Sequence, residues 1–218
     1  MPRTAPDALL LLATGCAHCP GVLEGLSQLL KQGRLGRLEV VNILSHPEAA
    51  EAVGTRSVPW TRIGLFELEG ALSPTELGRW ADLADSEAGI AAYYSHLLET
   101  RRPHKLSQLL AAHPETLTQL IGLLGDDKTP MAIRIGIGVV LEEMEGSSLL
   151  AQGLDALIKL AELDQANIRC DAAHYLGLTH HGDAEAPLRK LLTDEHPDVR
   201  EIAEEALQML TPSEEKNG

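Results

Sequence analysis

The chain has 218 residues, 44% apolar and 23% charged, with a net charge of −14 and only 3% aromatic residues. That length holds one large domain or two small ones, and the alanine and leucine standing in for aromatics favour helices over a β-sandwich. Three cysteines are too few for a disulfide-stapled fold, no run of about 18 apolar residues spans a bilayer, and the acidic balance repels nucleic acid and anionic membranes.

The first predicted element is Ala8–Ala13, a short continuous apolar run of the kind expected of a strand buried on both faces. It leads into TGCAHCPG (Thr14–Gly21), which sets Cys16 and Cys19 three positions apart. Three readings compete: a redox pair, half of a metal site, or the lipid-attachment cysteine of an exported protein. LLLLATGC mimics the end of a lipoprotein signal, but Arg3 is the lone positive charge before it, Asp7 interrupts, and the apolar run is short against the usual core of roughly 7–15 residues. The expected location is therefore the cytoplasm, where thiols stay reduced. A zinc half-site needs two more ligands, and neither a second CxxC nor an HxxxH is present.

From Pro20 to Lys31 the apolar rhythm changes: Val22, Leu23, Leu26, Leu29 and Leu30 recur at helical spacing, with Gly33 as a stop. The CxxC thus sits at a strand-to-helix junction, where unpaired N–H groups and the helix dipole stabilise a thiolate. Next come a strand over Arg37–Leu44, a short helix over Pro47–Val53, one or two strands within Trp60–Leu68, and a helix over Ser73–Leu83 opened by Ser73, Pro74 and Glu76 as a capping box. This order implies an α/β unit with a central mixed sheet and helices on its faces.

VGTRSVPW (Val53–Trp60) and GALSPTEL (Gly70–Leu77), following the CxxC in that order, resemble the thioredoxin-like family over roughly residues 7–84. The resemblance implies that Cys16 is the exposed nucleophile, Cys19 the buried resolving thiol, and Pro59 a cis-proline flanking the substrate groove. Val58, Pro59 and Trp60 are then the substrate-binding residues, with the Val58 backbone turned outward to pair with an extended peptide. His18 is similar to the histidine of C-x-H-C in DsbA-like oxidases, which tunes the thiolate. Where family members carry a tryptophan before the first cysteine, a buried acid six positions upstream of it and a small polar residue after the proline, this chain has Gly15, Leu10 and Trp60. The short segment before Ala8 makes the likeness closer to the smaller, glutaredoxin-like form.

Beyond Leu83 the composition shifts. Residues 1–84 carry 7 basic and 9 acidic residues, whereas 85–218 carry 11 and 23. A linking helix with Tyr93 and Tyr94 is expected within 85–104, broken at Arg101-Arg102-Pro103. Three stretches then align, ending at Arg134, Arg169 and Arg200, so the arginines lie 35 and 31 residues apart. Each is an apolar helix, an Asp-containing turn, and Ile-Arg or Val-Arg opening another helix. Together with CDAAHYLGLTHHGDAEAPLRKLL (Cys170–Leu192) they resemble HEAT repeats, placed over 105–212, with a frayed tail over 213–218. His174, His180, His181 and Asp183 read as polar turns rather than metal ligands, Cys170 as an ordinary helix cysteine, and Glu142, Glu143 and Glu145 as a solvated face.

The expected function is a thiol–disulfide oxidoreductase or redox switch acting on a protein partner selected by the repeats. It would have no cofactor of its own, and a separate protein or glutathione would donate electrons. The alternative is a non-catalytic interaction scaffold in which the first domain is only a platform.

Overall fold

The computed structural model describes residues 5–84 and 86–210. Arg3 and the expected tail lie outside them. The chain divides into two compact units after Ile90, inside helix α4 (Glu87–Glu99).

The first unit holds β1 (Ala8–Leu12), α1 (Cys19–Lys31), β2 (Leu38–Asn42), α2 (Pro47–Ala52), β3 (Trp60–Ile63), β4 (Phe66–Glu69) and α3 (Pro74–Leu83). The sheet order is β2-β1-β3-β4, with β1 parallel to β2 and antiparallel to β3, and β3 antiparallel to β4. The apolar run of β1 is explained by its central place, since it pairs on both edges and Leu10 and Leu11 are fully buried.

Because side chains alternate across a strand, Leu9 and Leu11 face one way and Ala8 and Leu10 the other. On the first face Leu11 packs with Trp60 and Ala50 of α2, and Val41, Val53 and Val58 close around them. On the second, Leu10 lies opposite Thr61, and Phe66 meets Trp80 of α3 edge-to-face at 5.3 Å. Helix α1 reaches α3 there: a Cβ on Gly25 would stand 2.7 Å from Leu77 Cδ1. Helix α3 starts where its capping box requires, with Ser73 Oγ accepting from the Glu76 N–H and Glu76 Oε2 accepting from the Ser73 N–H. Arg34 ties its far end through Asp82 and the Gly78 carbonyl.

The second unit is helical. After α4 come α5 (Pro103–Ala112), α6 (Leu117–Leu124), α7 (Met131–Glu142), α8 (Ser148–Ala151), α9 (Leu154–Leu160), α10 (Ala166–Leu178), α11 (Glu185–Leu191) and α12 (Pro197–Leu210). Arg101 breaks the chain between α4 and α5 with φ 56°, and Pro103 opens α5. Tyr94 is buried with its hydroxyl on Thr116 Oγ1, and loss of water pushes its phenol up to about 12.

The three aligned arginines do the same work. Each lies in the first turn of a helix and donates to carbonyls of the segment just before it: Arg134 to Leu124 at the end of α6 (2.8 Å), Arg169 to Leu163 and Asp164 in the turn after α9 (2.9 and 2.6 Å), Arg200 to Asp194 and Glu195 in the turn after α11 (2.7 and 3.1 Å). They give partners to carbonyls of the turn between the two helices, which no regular backbone ladder satisfies. Two of them also reach an acid further along the chain, Arg134 to Asp171 and Arg169 to Asp194.

Helices α10 and α12 approach closely, with backbone as well as side chain in the contact. A Cβ on Gly177 would stand 2.9 Å from Ala206 Cβ and 3.0 Å from its Cα. Gly177→Ala is expected to cost about 1–3 kcal/mol in urea unfolding despite alanine's better helix propensity. Gly122→Ala in α6, where a Cβ meets nothing within 4 Å, should instead gain up to about 1 kcal/mol. Equal shifts for the two would mean that α10 and α12 are not in this contact.

Candidate functional site

The loop after β1 carries the cysteines. It is held at Thr14, whose hydroxyl accepts from Asn42 Nδ2 at the end of β2 (3.0 Å), and turns at Gly15, whose φ of +84° suits only a residue without a Cβ. Helix α1 begins on Cys19 itself, one residue earlier than the spacing predicts, with Pro20 in its first turn. Cys16 and Cys19 are joined by a disulfide with Cα atoms 5.5 Å apart.

The two sulfurs are not equivalent. Cys19 is 3% exposed and belongs to the core, whereas Cys16 is half-buried. The Cys19 backbone N–H, one of the orphan donors of the α1 N-terminus, points at Cys16 Sγ at 3.2 Å. With the bond open, that donor and the positive end of a 13-residue helix would stabilise a Cys16 thiolate. His18 is exposed and occupies the position preceding the helix, but its ring makes no cap hydrogen bond.

The register of the sheet determines what lies near this loop. Leu11 pairs with Trp60, so the segment leaving β1 towards Cys16 and the segment Ser57–Pro59 entering β3 share one end of the sheet. The Val58–Pro59 peptide is cis. Pro59 is buried and its carbonyl accepts from Gly70 N–H (2.9 Å), while the N–H and C=O of half-buried Val58 form no hydrogen bond among the described residues. Trp60 sits differently from its expected place beside a substrate chain. Its side chain is 1% exposed and packs on Leu11 and Ala50, supporting Val58 from beneath. The indole is large and apolar, and the α2 face of the sheet has room for it.

A groove of about 590 Å³ opens beside the cysteines, running from Ala17 and His18 along Glu24 of α1 to Leu72, Ser73 and Glu76 at the start of α3. The Ser73 hydrogen bonds hold the Glu76 carboxyl below its usual range. The capping box is legible in the sequence as a helix start, but its place in a groove wall is not, because that depends on α1 and α3 sharing a face. Leu10 of β1 is fully buried. Opposite it, Thr61 Oγ1 is the one buried side-chain polar atom without a partner among the described residues.

The histidines of the second unit have protein partners: His180 bonds Glu145 and the Met209 carbonyl, His174 faces Glu142, and His181 Nδ1 accepts from the Asp183 N–H. No group of three or more potential metal ligands is found among the described residues, and none of their helices is long and apolar enough to cross a membrane. Cys170 is half-buried, and burial pushes its thiol up, away from the reactive range. No protein-family model and no curated protein matches the chain.

Proposed function

We propose that this protein is a thiol–disulfide oxidoreductase or redox switch of thioredoxin-like, small glutaredoxin-like form, fused to HEAT-like helical repeats that select its protein partner. The observation that carries the reading is the asymmetric pair: a half-buried Cys16 sulfur facing a helix N-terminal N–H, and a buried Cys19 one turn on. The three arginines repeating one set of carbonyl contacts support the repeat assignment.

In the reducing direction, the Cys16 thiolate attacks one sulfur of a substrate disulfide. A Cys16–substrate disulfide forms as the substrate S–S bond breaks, and the leaving sulfur takes a proton. Cys19 then gives up its proton and attacks Cys16 Sγ, releasing the second substrate sulfur. Two electrons and two protons have moved to the substrate, leaving the Cys16–Cys19 disulfide described above. A separate dithiol protein or glutathione in the cytoplasm resets it. His18, between the two cysteines, is the residue that tunes the Cys16 thiolate. Val58 offers its unpaired backbone to the substrate chain as an added strand, with Pro59 fixing the segment and Trp60 packed below it.

A second reading, a scaffold with little catalysis, draws on one observation: Leu10 offers no carboxylate to take the resolving thiol's proton. The experiment that separates them is a redox titration of the purified chain in glutathione buffers, trapping free thiols at each ratio. We expect a reversible two-electron couple between about −270 and −120 mV. If no disulfide forms between Cys16 and Cys19 at any ratio, the catalytic reading is lost and the scaffold takes its place.

A further inference from the structure

Six large apolar side chains are conspicuously exposed among the described residues, and three of them lie on one helix. Met131, Ile135 and Val139 of α7 are 69%, 61% and 45% exposed. Their four-residue spacing stacks them in a single row about 12 Å long. The opposite side of α7 is committed, with Ile133, Ile137, Val140 and Leu141 buried. Leu98 of α4 widens the row: its Cδ2 lies 3.0 Å from where a Cβ on Gly136 would be, so the glycine lets the two helices close. The other three exposed residues, Leu30, Val40 and Leu44, belong to the first unit. Scattered exposed apolar residues are ordinary, but a continuous row marks a contact surface.

The rim of the row is acidic. It runs at its C-terminal end onto exposed Glu142 and Glu143, in a last turn that has no basic residue although the helix carbonyls already concentrate negative potential there. Asp126 and Asp127 precede its N-terminal end, whereas beside Leu98 the charges are mixed, exposed Glu99 being followed by Arg101 and Arg102. Between Asp126 and Glu145 the only cations are Lys128 and Arg134, and Arg134 is engaged by Leu124 and Asp171. Over residues 91–210 as a whole, 10 basic residues stand against 19 acidic ones.

We propose that this face of α7 docks a basic amphipathic helical segment of a partner protein. Apolar side chains at helical spacing would cover Met131, Ile135 and Val139, with Lys or Arg reaching Glu142 and Glu143. A second copy of this chain is the wrong occupant. Antiparallel self-pairing brings Glu142 and Glu143 to the turn that carries Asp126 and Asp127, where Lys128 is the lone cation, and parallel pairing sets the glutamates on themselves. The proposal rests on the partner-selecting role given above to the helical unit and is independent of the thiol chemistry.

The test uses the full chain and a fluorescein-labelled helical peptide of leucine and lysine, with leucines at every fourth position, read by anisotropy. A matched peptide with glutamate for each lysine is the control. The lysine peptide should bind and the glutamate peptide should not. Ile135→Glu should weaken binding at least about tenfold, with an unchanged circular dichroism spectrum because the site is exposed. Glu142→Gln with Glu143→Gln should weaken it several-fold and flatten its salt dependence. Cys16→Ser should leave it unchanged, which separates this face from the redox site. The proposal is overturned if the lysine peptide fails to bind, if it binds wild type and Ile135→Glu alike, or if the chain forms a dimer that Ile135→Glu dissolves.

Discussion

Cys16→Ser is expected to abolish disulfide exchange, lowering the rate on a model disulfide protein by on the order of 10³-fold or more, while Cys19→Ser stops the reaction halfway. The difference follows from burial. Cys19 is 3% exposed and cannot take over the attack when Cys16 is gone. When Cys19 is gone, Cys16 still attacks but nothing displaces the product, so a mixed disulfide accumulates and gains the mass of the substrate chain. In the reduced protein Cys16 should also be the first thiol alkylated by iodoacetamide at neutral pH, ahead of Cys170, whose thiol burial holds up. If wild type and both variants exchange at one slow rate, the helix N-terminus is not activating Cys16, and the scaffold reading gains.

The largest loss of stability is expected from Arg169→Met. Arg169 grips Asp194 with Nε and Nη2 at 2.7 and 2.8 Å and caps two carbonyls with Nη1. Methionine keeps much of the aliphatic stem and removes the donors, leaving a carboxylate with 9% exposure and no cation, and two carbonyls unpaired. Breaking a buried pair in this way costs about 3–5 kcal/mol. The pair lies just beneath the surface, beside a Glu195 side chain that is 89% exposed, so water relieves part of the penalty. We therefore expect the low end, about 3 kcal/mol, in urea unfolding of the helical signal. Replacing both partners, Arg169→Met with Asp194→Asn, should recover part of the loss, because no unpaired charge remains.

The same pair sets a pH dependence. The Arg169 hydrogen bonds hold the Asp194 carboxyl below its usual range. Its contribution is therefore complete above the unfolded value of about 4 and is lost as pH falls through the folded one. In Arg169→Met the sign reverses, since burial without the cation raises the carboxyl, so the deficit should be largest at neutral pH, begin to shrink as pH falls through that raised value and go on shrinking below about 4. A deficit equal at both pH values would show that Asp194 is not held by Arg169.

Much of the first unit is legible residue by residue. The apolar run at Ala8–Leu12, the helical recurrence after Pro20 and the Ser73–Glu76 capping box each depend on neighbours within a turn or a strand, and each element forms where those neighbours place it. The arginines of the second unit are legible for the same reason, because their carbonyl partners lie 5 to 10 residues away. The Trp60 indole is not, since alternation along β3 assigns it a face but not what covers that face. Nor is the pairing of Arg169 with Asp194, across 25 residues, or the groove wall at Leu72–Glu76.

Helix α7 shows the boundary most sharply. Read alone, MAIRIGIGVVLE is apolar almost all the way round and belongs in a core. Periodicity determines that Met131, Ile135 and Val139 share one side and Ile133, Ile137 and Val140 another. Only the packing of α4, α5, α6 and α10 decides which side is covered and which is left facing solvent, because apolar burial has no direction of its own and a helix buries whichever face its neighbours reach.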